Sequence, residues 1–251
     1  MSNNPLELLL KNLELRSPLA ESDRHAILAL PYTLKSLAPG SYVVREGEPP
    51  TGCGVLVSGF AYRQKLTGDG GRQILSIHIP GEALDFQNIF HNAADHSVQM
   101  LTRGHVALVP RADIHRIARS NVSVCHAILV NTLVESSIFR EWILNVGRRD
   151  AKSRLAHMLC ELAVRLDAHG LADEMGYHLP MTQAELADAL GLTPVHLNRV
   201  IRSLEVDGLL VRTKRDISFP DWERMRDVAD FNERYLHLSV EKSSELVALS
   251  A

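Results

Sequence analysis

The sequence predicts an α+β chain: an antiparallel β jelly-roll domain, a long dimerisation helix, and a C-terminal winged helix-turn-helix domain. Three observations predict it. Short β-branched or alternating runs between Leu34 and Pro110 are separated by glycine-marked turns about every 8–12 residues, the texture of a sandwich, barrel or jelly roll. Val122–Val146 then runs without glycine and is apolar around most of its circumference. Finally, two capped helices meet at Gly191 and are followed by a basic hairpin. A length of 251 residues suits two domains, and 45% hydrophobic with 23% charged residues is an ordinary globular balance.

Leu6–Arg16 and Ser22–Leu30 have helical apolar spacing, and Pro31 closes them as a lead-in over 1–33. The β domain follows over 34–110, with strands expected at Ser41–Arg45, Val55–Val57, Ala61–Leu66, Gln73–Ile79, Val98–Leu101 and Val106–Val109. In the helix region, 111–147, an all-round apolar helix must be covered on two sides. A second copy of the chain is the partner symmetry favours, with Val124, Ile128, Val134, Ile138 and Trp142 expected at the seam. A long core helix in a monomer is the alternative. After Gly147–Arg149, Asp150 caps a helix carrying Leu155, Met158, Leu159, Leu162 and Leu166, which opens the last domain, 148–220. The remaining 221–251 holds a capped helix and a tail with no assigned role.

Thr182-Gln183-Ala184-Glu185 has the form of a capping box and starts a short helix stopped by Gly191. Thr193 caps again, with Pro194 at the first helical position, where its missing N–H costs nothing. Leu197, Val200, Ile201 and Leu204 fall at i, i+3, i+4, i+7 and form a buried stripe. The opposite face offers Val195, Asn198, Arg199 and Arg202, the amide and guanidinium groups that major-groove reading requires. Leu209–Arg212 and Ile217–Phe219, joined through Lys214-Arg215-Asp216, make a wing whose basic tip suits phosphate. The net charge of −3 hides this: residues 193–215 hold five basic residues against Glu205 and Asp207. Thr182, Gln183, Thr193, Val195, His196, Asn198, Arg199, Arg202 and Lys214 are therefore the candidate contacts to double-stranded DNA. A helical hairpin with a solvated charged face is the plainer reading, which the two caps, the turn glycine and the wing together disfavour.

This succession, from β-roll and long helix to Met181–Ala187, Gly191-Leu192-Thr193, Asn198-Arg199 and Leu204-Glu205, resembles the Crp/Fnr family of dimeric bacterial transcription regulators over about residues 6–220. The resemblance implies a cyclic-nucleotide-binding-like sensor domain, a homodimer joined by the long helix, a palindromic DNA operator and RNA polymerase as a further partner. It also implies a guanine contact for the arginine at 199. Many relatives carry a glutamate one turn earlier, where this chain has Val195.

The family's cassette holds ribose with Gly-Glu and cyclic phosphate with Arg-Ser or Arg-Thr. Aligned through Pro80-Gly81-Glu82, these positions carry Asp85-Phe86 and His96-Ser97. A carboxylate would repel phosphate and a ring would fill the ribose space, so cyclic AMP is not expected. No cofactor or metal is expected, and the effector, if there is one, is unidentified; an effector-independent regulator is the alternative. An N-terminal cysteine cluster is absent, since the first cysteine is Cys53. His78, His91 and His96 stand singly, and Cys125 and Cys160 occupy apolar helix positions. A cupin-type metal enzyme would need a His-x-His pair, which the sequence lacks, so no enzymatic activity is expected. A winged helix that binds protein instead of DNA is a further reading. The three scattered cysteines, the lack of a basic segment before Leu8–Leu10, and no apolar run near the roughly 18 residues of a membrane helix point to a cytoplasmic protein without a membrane partner.

Overall fold

A computed structural model describes residues 4–173 and 175–238. The expected lead-in and tail therefore extend, at 1–3 and 239–251, outside the described residues. The chain divides into two units, 4–63 with 77–136, and Gln64–Ser76 with Ser137–Leu236.

Along the chain α1 (Leu6–Glu14) and α2 (Glu21–Leu28) precede β1 (Thr33–Leu37), β2 (Tyr42–Val44), β3 (Gly52–Ser58), β4 (Ala61–Leu66), β5 (Arg72–His78), β6 (Ser97–Met100) and β7 (Gly104–Pro110), with β4 and β5 each divided between the units, after residues 63 and 76. One sheet has the order β1-β7-β3, the other β2-β6-β4-β5, and their pairings are antiparallel where registered. Leu56, Ala61, Val98, Met100 and Val106, drawn from both sheets, make the core inside the roll with Leu84 from the connection after β5. The outer face of β3 and β7, with Cys53, Val55, Ala107 and Val109, packs on α1, α2 and the helices that follow. Burial on both faces explains why β3 is an almost continuous apolar run rather than an alternating one. Strand β1 was not among the expected strands. It is exposed along most of its length and owes its conformation to pairing with β7, from Thr33↔Leu108 to Leu37↔Gly104.

Two helices occupy the region read as one. After Pro110, α3 (Arg111–Ser120) buries Ile114 and Ile117, and Asn121 breaks it with an extended conformation. Then α4 (Val122–Arg148) runs unbroken through Gly147, so the expected stop at that glycine does not occur. Contrary to the sequence expectation, α4 contains a window of mean hydropathy 1.5, long and apolar enough to cross a membrane by those two measures. Asn131, Thr132, Glu135, Ser136 and Ser137 interrupt its middle.

The seam residues also need correction. Val124, Ile128, Val134, Ile138 and Trp142 are only 1–8% exposed in the single chain. Side chains covered by their own subunit have no surface left for a partner. The open face of α4 carries Val122, Cys125, Leu129, Leu133 and Ile143 instead.

The second unit is built on α5 (Ala151–Ala168), capped by Asp150, whose side chain accepts from the Lys152 and Ser153 amides. Beyond it lie β8 (Gly176–His178), α6 (Gln183–Leu190), α7 (Pro194–Val206), β9 (Val211–Thr213), β10 (Asp216–Ser218) and α8 (Trp222–Ala229). Strand β8, expected as loop, completes a three-stranded β8-β10-β9 wing sheet; three residues are too few to show an alternation. The expected C-terminal helix is shorter than its apolar spacing suggested, because Asp230 turns left-handed at φ 48° and a 3-10 turn, Glu233–Leu236, follows.

That C-terminal segment closes a buried polar cluster. Glu161, 2% exposed, accepts from Trp142 Nε1 (3.0 Å), Arg165 Nη1 (3.1 Å) and Tyr235 Oη (2.9 Å). Burial pushes its carboxyl above the usual range, against the pull of Arg165. His157 stacks on the Tyr235 ring at 5.8 Å, and Arg149 Nη2 bridges Glu141 (2.6 Å) and Asp230 (3.1 Å).

Candidate nucleic-acid interface

Local signals fix where α6 and α7 begin and end. Thr182 Oγ1 accepts from the Glu185 amide at 3.3 Å, and Glu185 Oε2 accepts from the Thr182 amide at 2.7 Å, a complete capping box. Gly191 ends α6 at φ 63°, ψ 39°, a left-handed turn that a side chain would strain. Thr193 Oγ1 then accepts from the His196 amide at 3.2 Å. Truncating either threonine to alanine should cost about 1 kcal/mol of stability, read as a shift in the urea midpoint.

Helix α7 buries Leu197, Val200, Ile201 and Leu204 and turns Val195, His196, Asn198, Arg199 and Arg202 to solvent. Among the described residues neither Arg199, Arg202 nor Lys214 has a hydrogen-bond or ion-pair partner, so their donors are available. Both acidic groups of 193–215 are paired: Glu205 accepts from Arg212 Nε at 3.3 Å, within the stretch, and Asp207 pairs with Lys152 Nζ, outside it, which leaves Arg199, Arg202, Lys214 and Arg215 as the open cations. That lysine, first among its neighbours, holds the Asp207 carboxyl below the usual range. The face therefore keeps its positive potential although the chain is net acidic. At the wing, Lys214 takes φ 58° in the two-residue turn between Thr213 and Asp216, which lifts its side chain at the tip. Thr182 and Gln183 lie at the start of α6, whose first-turn amides favour an anion.

The β-roll holds a buried polar cluster that the sequence reading did not assemble. Arg63, His78, Asp85 and His96 are each at most 3% exposed. Arg63 Nη2 donates to Leu84 O (2.9 Å), and Arg63 Nη1 lies 3.6 Å from Glu135 Oε2 on α4. His96 Nε2 lies 3.7 Å from Asp85 Oδ2, and His96 Nδ1 is 2.6 Å from Asp95 Oδ1. Two cassette positions thus face each other as a carboxylate and an imidazole. Phe86 plays a different part from the one expected. Its ring packs in the helix-side cluster with Val55, Val109 and Ile114, so it does not fill the roll. The described residues gather no group of three or more His, Cys, Asp or Glu that could hold a metal.

Burial, assisted by Arg63, lowers the pKa of His96 to about 4; burial, assisted by Arg149, lowers that of His157 to about 3. Glu141 Oε1, 3.3 Å from His157 Nε2, does not reverse this, because Arg149 already neutralises it. Both histidines fold neutral, whereas the unfolded chain protonates them near pH 6.5. Stability is then complete above pH 6.5 and falls as the pH drops toward 4. Between pH 7.5 and 5 each histidine should cost about 2 kcal/mol. Urea midpoints at the two pH values check this, and a His96→Gln variant should lose part of the difference.

Comparison with known proteins follows the same division. A family model described as a Crp-like helix-turn-helix domain matches residues 153–228, and one described as a cyclic nucleotide-binding domain matches residues 34–121. The transcriptional activator protein FnrL of Cereibacter sphaeroides is 27% identical over 78% of this chain and 79% of its own. The nitrogen fixation regulation protein FixK of Rhizobium meliloti is 26% identical over 80% and 89%. Among solved structures, FixK2 from Bradyrhizobium japonicum is similar with a TM-score of 0.73 and 26% identity, covering 79% of this chain and 98% of that one.

Proposed function

The chain belongs to the Crp/Fnr family of DNA-binding transcription regulators, and on that premise we propose that it works as a homodimer reading a palindromic operator, with RNA polymerase as a further partner. The observation that carries this reading is the open face of α7, where Asn198, Arg199 and Arg202 project beside a wing whose Lys214 has no carboxylate partner among the described residues. Arg199 presents two parallel donors to guanine O6 and N7, and Val195 offers apolar contact to a thymine methyl. Arg202, Lys214, Thr182, Gln183 and Thr193 serve the phosphates, and His196 and Asn198 lie within the same reading face. Two-fold symmetry sets the half-sites about one helical turn, roughly 34 Å, apart. Selection of bound sequences from a random duplex pool tests the proposal. A palindrome supports it; recovery of a non-palindromic motif overturns it.

The dimer seam follows the open face of α4. Val122, Leu129, Ser136 and Ile143 recur every seven residues, with Cys125, Thr132, Phe139 and Val146 three further on, the spacing of a coiled-coil seam. Thr132 and Ser136 turn their hydroxyls back onto the Ile128 and Thr132 carbonyls, at 2.9 and 3.1 Å, which lets a seam close dry around them. A two-fold axis along the helices sets Cys125 against its own copy. Cys125 is exposed while Cys53 and Cys160 are buried, and burial pushes the latter two thiols up and makes them inert. Maleimide should label one thiol per chain, and mild oxidation should yield a covalent dimer on a non-reducing gel that Cys125→Ser abolishes. A dimer that never cross-links counts against this seam.

Cyclic AMP is not the signal in this reading, because buried Asp85 stands where the phosphate cassette would hold an anion's partners. Arg63, paired with Glu135 of α4, is the group through which a change inside the roll reaches the long helix. Isothermal titration with cyclic AMP should show no saturable heat at micromolar ligand.

A further inference from the structure

Beneath the wing the second unit has an open cavity of about 310 Å³. Its floor is apolar, with Leu155 and Leu159 from α5, Leu186 from α6, Ile201 from α7, and Leu210 and Ile217 from the wing. Domain interiors close-pack so that voids larger than a water are few, whereas this volume falls at the small end of the range of small-molecule sites. The rim carries Arg212, Lys214 and Arg215, and none of the described lining residues is acidic. Arg212 is held by Glu205, but Lys214 and Arg215 have no carboxylate partner among the described residues. Gln183 also lines the cavity, and its side-chain amide has no partner among the described residues.

We propose that this cavity is a binding site for an amphipathic monoanion, an unbranched aliphatic carboxylate whose chain lies on the leucine and isoleucine floor and whose head group meets Lys214 and Arg215. The division of the lining decides the ligand class. A sugar or nucleotide would bring hydroxyls and ring donors onto a floor without acceptors for them, and each buried unpaired group is costly. A neutral hydrocarbon would leave the two cations without a counter-charge. A cationic amphiphile would be repelled by Lys214 and Arg215.

A carboxylate seated here occupies Lys214 and fills the space under the wing, so the ligand competes with duplex DNA. That consequence, unlike the site itself, rests on the DNA-binding reading of this face.

The test is isothermal titration of the full chain with hexanoate, octanoate and decanoate below their micellar concentrations, and with decanol and decylammonium. Uptake of one carboxylate per chain is expected. Each added methylene should tighten binding about fourfold until the cavity is full. Decanol should bind about tenfold more weakly than decanoate, for want of the charge-assisted bonds, and decylammonium should not bind. Leu210→Phe should abolish uptake by filling the floor. Arg215→Glu, on an exposed residue, should weaken it by a similar factor to decanol and serves if the phenylalanine variant does not fold. No saturable uptake of any chain length, or uptake unchanged in Arg215→Glu, overturns the site. Uptake is read without DNA, so its failure is separate from any failure of operator binding. Decanoate that binds but leaves duplex affinity unchanged overturns the competition alone.

Discussion

Replacing Leu129 and Leu133 together by glutamate should separate the subunits and reduce operator affinity by about 10²–10⁴, the factor lost when two half-sites are no longer engaged by one linked molecule. The two leucines are 55% and 57% exposed in the single chain, so the substitutions should leave the subunit folded. In the dimer the carboxylates at 129 face each other across the seam, and those at 133 lie along its edge. Four like charges would then be brought together, the inner pair desolvated without counter-ions at several kcal/mol each. Sedimentation velocity and circular dichroism check both halves of the expectation: a folded monomer, against a dimeric parent. Val134→Glu with Ile138→Glu is the informative contrast. Those side chains are 5% and 8% exposed, so the pair should unfold the chain rather than dissociate it. A leucine double variant that remains dimeric removes the seam from Leu129 and Leu133.

That difference between neighbouring positions marks the boundary between what local sequence discloses and what packing decides. The two helices of the reading head were legible almost residue by residue, because caps, turn glycine and buried stripe are local signals written within a single turn of chain. Helix α4 was legible as a helix, but not its orientation. Apolar residues surround it, and the pattern alone does not say whether Val134 or Leu133 faces the subunit's own body. Packing decides it, covering Val134 and leaving Leu133 open. Strand β1 escaped notice for a related reason. Thr33–Leu37 buries little, and its conformation comes from hydrogen bonds to a strand far along the chain. The buried cluster around Arg63 had no sequence signature, since an arginine in an alternating run reads as surface until its neighbours are known. Phe86 shows the limit of reading through a resemblance. The alignment identified the position, but which way its ring turns from the bend before Gln87–Ile89 is settled by packing with Val55 and Ile114.

Arg199→Ala should have the largest effect on sequence reading, and the expected result is specific in form. The guanidinium is exposed and without a partner among the described residues, so its removal should leave folding and dimerisation intact. On DNA the substitution removes a two-donor interaction worth about 1–3 kcal/mol, and in a palindrome it does so in each half-site. Preference at one symmetric pair of bases should flatten while the rest of the motif persists. Arg202→Ala and Lys214→Ala should instead weaken every sequence alike and reduce the salt slope by about one for each phosphate no longer neutralised. Val195→Glu adds an acceptor one turn before Arg199 and should replace the thymine preference at its base pair by cytosine. Because Val195 is 65% exposed, that exchange should not disturb the fold. Sequence selection with the parent and each variant, followed by titration at two salt concentrations, separates base readers from phosphate binders. An unchanged motif with Arg199→Ala would remove α7 from base reading and leave the wing and the helix amides as non-specific anchors.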